Sequence, residues 1–395
     1  MAPSLGRWMH VQWVGTAMPE INRSLSNVGI GFAAFLSPPG PEVIRFTVGQ
    51  PDFDTPVQVV DAAKQALDRG ETAYTRTQGS VALCEAVAKH LTVHGIDADP
   101  EDVLVSPGCK QAVLYGLMAT LDAGDEVLLL SPAWPSYDGM VKLLDAVPIH
   151  VPVKREDYHP DFDNLEAAVT SKTKAILLNS PNNPTGAVYT PAEIERLVAF
   201  AIKHDLWIID DMIYATLVWA DHPYTSPCTI PGGAERTVTI GGWSKGWAMT
   251  GWRLGWITGP KAVMDGVKKI NVSAATHVAT FMMPAATVAL DLKEETAIMA
   301  ASFKKRCALI HQLLSELPGV IVPKPEGAFY AFCDVSGTGM TDIEFAERAL
   351  AEAKVQVIPG SLMEGGEGFV RISYATSPEN IREGVERLSK WLGGL

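Results

Sequence analysis

Three things are scarce in this 395-residue chain: paired cysteines, positive charge and long apolar runs. The five cysteines (Cys84, Cys109, Cys228, Cys307 and Cys333) are odd in number and scattered, with no CxxC pair. That distribution fits reduced thiols in a cytoplasm better than a disulfide frame or a zinc site. Lysine and arginine total 32 against 45 aspartates and glutamates, a formal net charge of −13. Nucleic acid and anionic membrane are disfavoured as partners, because either needs a basic face. An anionic substrate must then be held by local arginines or lysines against the global field. No stretch is apolar for long enough to span a bilayer. Near the N-terminus His10, Gln12 and Gly15 interrupt the apolar residues, so no secretory core is read there.

What is present is an ordinary globular composition, 47% hydrophobic and 19% charged, at a length that suggests one large domain and a smaller one. Residues 1–56 are irregular and rich in glycine and proline, and are expected to complete the small domain and border the substrate entrance. Between 57 and 290 helices alternate with strands. Helices are expected at 57–69, 80–94, 109–121 and 191–204, the last opened by the capping box Thr190-Pro191-Ala192-Glu193. Strands are expected at 102–105, 127–130, 174–178, 206–210, 237–241 and 254–258. Their nearly continuous apolar runs indicate burial on both faces, as in a largely parallel, doubly wound sheet. Ligands of such a sheet gather beyond the carboxyl ends of its strands. After a helical stretch near 285–317 the pattern becomes α+β, with short strands near 320–322, 328–334, 355–358 and 368–373 and helices at 342–353 and 378–392. Residues 291–395 are read as the small domain.

Five stretches end a strand or open a helix and carry chemistry. Ser244-Lys245-Gly246 follows an apolar run, with Arg253 eight residues after the lysine. A lysine there suits an amine partly desolvated to act as a nucleophile. Ser106-Pro107-Gly108-Cys109-Lys110 opens a helix, where backbone N–H groups can face an anion, although glycine turns of this kind are common. Ser180-Pro181-Asn182-Asn183-Pro184-Thr185-Gly186 is a rigid turn whose asparagines have a fixed direction. Asp210-Asp211-Met212-Ile213-Tyr214 closes a strand. Its carboxylates suit caps or a metal pair, but no further ligand stands at a convincing spacing; one buried carboxylate could instead keep a heterocyclic nitrogen protonated. Arg371, inside the apolar run Phe369-Val370-Arg371-Ile372-Ser373, calls for an anionic partner, carboxylate being the natural one.

These motifs, with Gly49-Gln50-Pro51-Asp52-Phe53-Asp54-Thr55-Pro56 and Val370 to Ser377, resemble in order the fold-type-I, class I/II aminotransferases. The bacterial aspartate aminotransferase branch is nearest, over roughly residues 45–390. The resemblance implies an α/β fold with a mostly parallel seven-stranded sheet and a smaller α+β domain. It also implies pyridoxal 5'-phosphate as cofactor, no metal, and amino transfer between an L-amino acid and a 2-oxo acid in a ping-pong cycle. Lys245 would carry the cofactor as a Schiff base and move the proton at the substrate Cα. Asp211 would pair with the pyridinium nitrogen. Tyr214 and Asn183 would hold the ring oxygen, and Trp134 would stack on the ring. The phosphate would take the amides of Gly108, Cys109 and Lys110, with Ser244 and Arg253. Tyr74 would reach the phosphate of a second subunit, which implies a homodimer. Arg371 would clamp the substrate α-carboxylate, with Asn183 and the N–H of Gly49 beside it. Elimination chemistry on the same scaffold, and a ligand-sensing module, stay open as alternatives.

Three departures from the family pattern stand out. Gly242, three residues before Lys245, replaces a usual phosphate-binding Ser or Thr; Met212 stands where Glu often follows the aspartate; residues 27–33 are, after Asn27, glycine and apolar where relatives carry hydroxyls near the substrate side chain. The last change favours an apolar, aromatic or small side chain over a second carboxylate. Lys110 is the basic residue nearby that could still read a distal carboxylate, if it does not serve the phosphate.

Overall fold

The computed structural model describes Leu25, Val28, Gly29 and residues 40–394. Of the segment at 27–33, only Val28 and Gly29 therefore fall among the described residues.

The first half of the chain runs β1 (Ile44–Arg45), α1 (Val57–Asp68), α2 (Val81–Leu91), β2 (Val103–Ser106), α3 (Cys109–Thr120) and β3 (Glu126–Ser131). Then come α4 (Pro135–Lys142), β4 (Val147–Pro152), α5 (Phe162–Ala168), β5 (Thr173–Asn179), α6 (Pro191–Lys203) and β6 (Trp207–Asp211). The second half continues with β7 (Thr237–Gly242), α7 (Trp243–Gly246), β8 (Gly255–Thr258), α8 (Lys261–Ala274), α9 (Met282–Asp291) and α10 (Lys293–Ser315). It closes with β9 (Tyr330–Asp334), α11 (Asp342–Arg348), β10 (Val355–Gln356), β11 (Ile358–Pro359), β12 (Phe369–Ser373) and α12 (Pro378–Leu392).

Seven strands form the main sheet in the order β2-β8-β7-β6-β5-β3-β4. Strands β3 to β7 pair in parallel, while β8 runs antiparallel to both β7 and β2. The apolar runs behave as expected of a sheet covered on both sides: Ile208 and Ile209, which face opposite ways, are both fully buried. Ile208 packs with Leu128 and Ile176, and Ile209 with Leu129 and Leu177, in two separate core clusters. A second, antiparallel sheet has the order β11-β12-β9, and β1 adds in parallel to β10. Residues 44–45 thus join the chain's C-terminal part.

The helices with strong start signals stand where expected. Thr190 and Glu193 form the reciprocal capping box of α6, with Pro191 inside its first turn; Ser377 and Thr341 cap α12 and α11. Elements without such signals differ from the expectation. The stretch at 285–317 is two helices parted at Leu292, and 320–322 contributes only a bridge between Ile321 and Asp334. Strand β4 and helices α4, α5 and α8 have no counterpart in the sequence reading. Two prolines and a histidine mask β4, and α4 and α8 lack a side-chain cap. Among the described residues no helix is long and apolar enough to cross a membrane.

Candidate active site

Lys245 is set on α7, a single turn that begins where β7 ends. Its Nζ donates to the carbonyl of Gly49 at 2.6 Å. Burial pushes its pKa down to about 8; the positive charges of Arg371 and Arg253 push the same way, while Cys109 and Asp211 oppose them. A neutral, nucleophilic amine is therefore far more accessible here than on a surface lysine.

Asp211 ends β6 and is 2% exposed. Its Oδ2 accepts from the Tyr137 hydroxyl at 2.7 Å, and its Oδ1 from the Cys109 thiol at 3.4 Å and the Ile213 N–H at 3.2 Å. Burial raises its pKa, and these donors work against the rise by stabilising the charged form.

Gly108 caps α3 with φ 90° and ψ 158°, a conformation restricted to glycine. A Cβ there would lie 2.5 Å from Nη2 of Arg253, so the guanidinium sits directly against the helix start. Arg253 itself adopts φ 54° and donates to the Thr250 carbonyl at 3.0 Å. At Gly242 an added Cβ would meet the Leu254 carbonyl oxygen at 2.9 Å. The close crossing of β7 and β8 thus leaves no room for the hydroxyl common at that position in the family. Met212 is buried in the core beside α2 and α9.

Arg371, 2% exposed within β12, donates from Nη1 to Asn183 Oδ1 at 2.9 Å and from Nη2 to the Thr47 carbonyl at 3.0 Å. Its guanidinium lies 4.7 Å from the ring centre of Tyr330, whose hydroxyl meets that of Tyr214 at 2.9 Å. Asn183 is held in turn by its N–H to Asn179 Oδ1 at 2.9 Å. Lys110 Nζ stands 4.7 Å over the Trp134 ring and donates to Ser136 Oγ at 3.1 Å.

These parts surround one cavity of about 340 Å³. Of the residues named from sequence, Gly49, Cys109, Lys110, Trp134, Asn183, Asp211, Tyr214, Ser244, Lys245, Arg253 and Arg371 line it, and Gly108 backs Arg253. Tyr74 does not: it is 88% exposed and packs edge-on against His277. Thr47, Tyr137, Asn179 and Tyr330 line the cavity without having been singled out. Tyr137 offers one sequence signal, its place three residues after Trp134 at a proline-started helix; Tyr330 reads as ordinary core. No group of three or more His, Cys, Asp or Glu among the described residues could hold a metal ion.

A desolvated lysine sharing a cavity with a buried carboxylate, at the carboxyl ends of a seven-stranded sheet, suits a pyridoxal-phosphate-dependent enzyme of the α/β class, as the resemblance implies. The chain belongs to the aminotransferase class I and II family, whose model matches residues 41–388. The aromatic-amino-acid aminotransferase 2 of Thermococcus litoralis is 41% identical over 357 residues, 89% of this chain and 92% of that protein. The aspartate aminotransferase of Pyrococcus abyssi is 41% identical over 358 residues with the same coverage. Among solved structures, the aromatic aminotransferase of Pyrococcus horikoshii OT3 has a TM-score of 0.87 at 40% identity, covering 90% of this chain and 97% of that one. The protein is an enzyme that transfers amino groups between an amino acid and a 2-oxo acid with pyridoxal 5'-phosphate.

Proposed function

We propose that Lys245 is the residue that binds the cofactor and then carries the proton at the substrate Cα, and that the substrate enters with its α-carboxylate on Arg371. The observation that carries this reading is the placement of Lys245 in one cavity with Asp211, Arg253 and Arg371, where burial favours its neutral amine. When bound, pyridoxal phosphate supplies an aldehyde and an electron-accepting ring. The residues present fit its demands. Asp211 provides a buried anion for the ring nitrogen, and Tyr137 and Cys109 keep that carboxylate oriented. Tyr214 and Asn183 border the cavity as partners for the ring oxygen, and Trp134 supplies a flat wall. The amides at the start of α3, with Ser244 and Arg253, provide an anion site at a helix N-terminus.

On the substrate side, Arg371 is held by Asn183 and Thr47 with its guanidinium bordering the cavity, which suits a carboxylate. We propose acidic and aromatic L-amino acids as donors. Lys110 at the cavity suits a distal carboxylate, and the relatives named above are an aromatic-amino-acid and an aspartate aminotransferase. The exposure of Tyr74 supports a homodimer in which it serves the other subunit's site. Residues 57–290 form the proposed large domain and 291–395 the small one, joined by the N-terminal segment 1–56; the pairing of β1 with β10 supports that assignment. Cytoplasmic residence is proposed on the five free cysteines.

The deciding experiment adds single amino acids to the cofactor-loaded protein and follows its visible spectrum. Conversion to the pyridoxamine form, reversed by a 2-oxo acid and abolished in Lys245→Ala, is the expected result. A Lys245→Ala protein that keeps both chromophore and turnover sinks the assignment of the lysine.

A further inference from the structure

We infer that His150 is a positioning residue that ties down both ends of the turn carrying Trp134 and Tyr137. The turn leaves β3 at Ser131 and enters α4 at Pro135. His150 stands on the neighbouring edge strand β4, where it pairs with Leu129. One imidazole nitrogen, Nδ1, lies 2.9 Å from Ser131 Oγ, at the start of the turn. The other, Nε2, lies 3.1 Å from Asp138 Oδ1, in the first turn of α4. A carboxylate can only accept, so Nε2 carries the hydrogen. Burial would raise the Asp138 pKa, but the bonds from His150 and Lys142 bring it below the usual carboxylate range. The acceptor is thus an anion, which strengthens the bond.

Every residue that this turn sends to the site lies between those anchors. Trp134 lines the cavity, Ser136 takes the Lys110 ammonium, and Tyr137 donates to Asp211. Trp134 meets Tyr137 edge-on at 5.2 Å, so the two rings are in direct contact. On its other side Trp134 borders a second cavity of about 390 Å³, whose lining also includes Asp138 and His150. On that side polar anchoring, more than close packing among the described residues, determines where the turn lies. His150 does not border the cofactor cavity itself, so its effect passes through Trp134 and Tyr137.

The inference rests on the proposed role of this wall in holding the cofactor, and its test separates the two. His150→Phe keeps a ring of similar volume and removes both bonds; His150→Gln retains a donor for Asp138. The expected result for His150→Phe is a cofactor dissociation constant raised about tenfold, a weakened visible circular dichroism and faster amide exchange over residues 131–138. His150→Gln is expected to recover most of each loss. Should His150→Phe fail to fold, Ser131→Ala removes one of the two bonds and is expected to weaken cofactor binding about threefold. Cofactor affinity and exchange unchanged in the Phe variant, or Gln no better than Phe, overturns the inference. Where the Phe variant does not fold, an unchanged Ser131→Ala does the same. Loss of the chromophore in Lys245→Ala alongside wild-type behaviour of the His150 variants leaves the lysine assignment standing and removes only this one.

Discussion

Asp210 and Asp211 are consecutive at the end of β6, and their carboxylates are bound on opposite sides of the sheet. Asp211 faces the cavity with Tyr137 and Cys109, whereas Asp210 accepts from Tyr224 and Ser226. Alternation along a strand separates them, so a paired metal site at this position is ruled out by geometry. Both carboxylates are buried, but only Asp211 lines the cavity.

Asparagine substitutions should expose that difference. Asp211→Asn is expected to lower kcat/KM by on the order of 10²–10³-fold, the scale for losing one fixed charge contact in a water-poor site. Asp210→Asn should leave turnover nearly intact and change the pH dependence of stability. Burial raises the Asp210 pKa from 3.8 to about 7, with the Tyr224 and Ser226 bonds opposing. A raised folded value means that its contribution is complete below 3.8 and is lost as pH rises through about 7. Urea unfolding at pH 5 and pH 8 checks this: the stability gap between wild type and Asp210→Asn should shift towards the variant at the higher pH. An equal gap at both pH values contradicts it.

His159 is a second buried titrating group, placed between two carboxylates. Its Nδ1 contacts Glu193 at 2.7 Å and its Nε2 contacts Glu326 at 3.2 Å, linking the cap of α6 to the approach to β9. Burial lowers the imidazole pKa, but the carboxylates overcome this and raise it to about 10, while Glu193 is brought down to about 2. The stabilisation is therefore whole between the ordinary values, 4.5 for glutamate and 6.5 for histidine. It fades as pH rises through about 10 or falls through about 2. His159→Gln should cost about 1.5–3 kcal/mol at pH 6, and less at pH 10. Thermal or urea unfolding at the two pH values decides it; a cost independent of pH contradicts the charged clamp.

Lys110 tests the substrate side. The residue is exposed as a whole at the cavity rim, but partial burial of its ammonium, together with the charge of Arg253, lowers its pKa. Lys110→Ala should reduce kcat/KM for aspartate about fivefold more than for phenylalanine, equivalent to ~1 kcal/mol for an exposed ion pair. Steady-state kinetics on the two donors give the ratio. A uniform loss means that the lysine serves the cofactor instead.

The sheet and the polar site were legible for different reasons. Strands such as β5 and β6 announce themselves because both faces are covered and both are apolar; edge strand β4, with Pro148, His150 and Pro152, does not. Lys245, Asn183 and Arg371 stand in local strings whose composition is hard to explain without a ligand. Tyr137 and Tyr330 had no such context. Each is a core aromatic by its surroundings, and each acquires its partner, Asp211 or Tyr214, from across the fold. Residues that act through tertiary pairs leave little trace in local sequence.

Gly108 offers a test of the anion site that separates backbone strain from steric push. Its φ of 90° would cost alanine about 1–3 kcal/mol, and the added methyl would also press on Arg253 Nη2. Gly124 has nearly the same φ, 88°, but an added Cβ there meets nothing within 4 Å. Gly124→Ala should therefore lose stability alone, with cofactor affinity unchanged. Gly108→Ala should lose comparable stability and, in addition, raise the cofactor dissociation constant by about tenfold or more, since both the helix-start amides and the guanidinium are displaced. Titration of each apoprotein with pyridoxal phosphate, beside its unfolding midpoint, gives the two quantities independently. If both variants retain wild-type affinity, Arg253 and the start of α3 do not hold the phosphate.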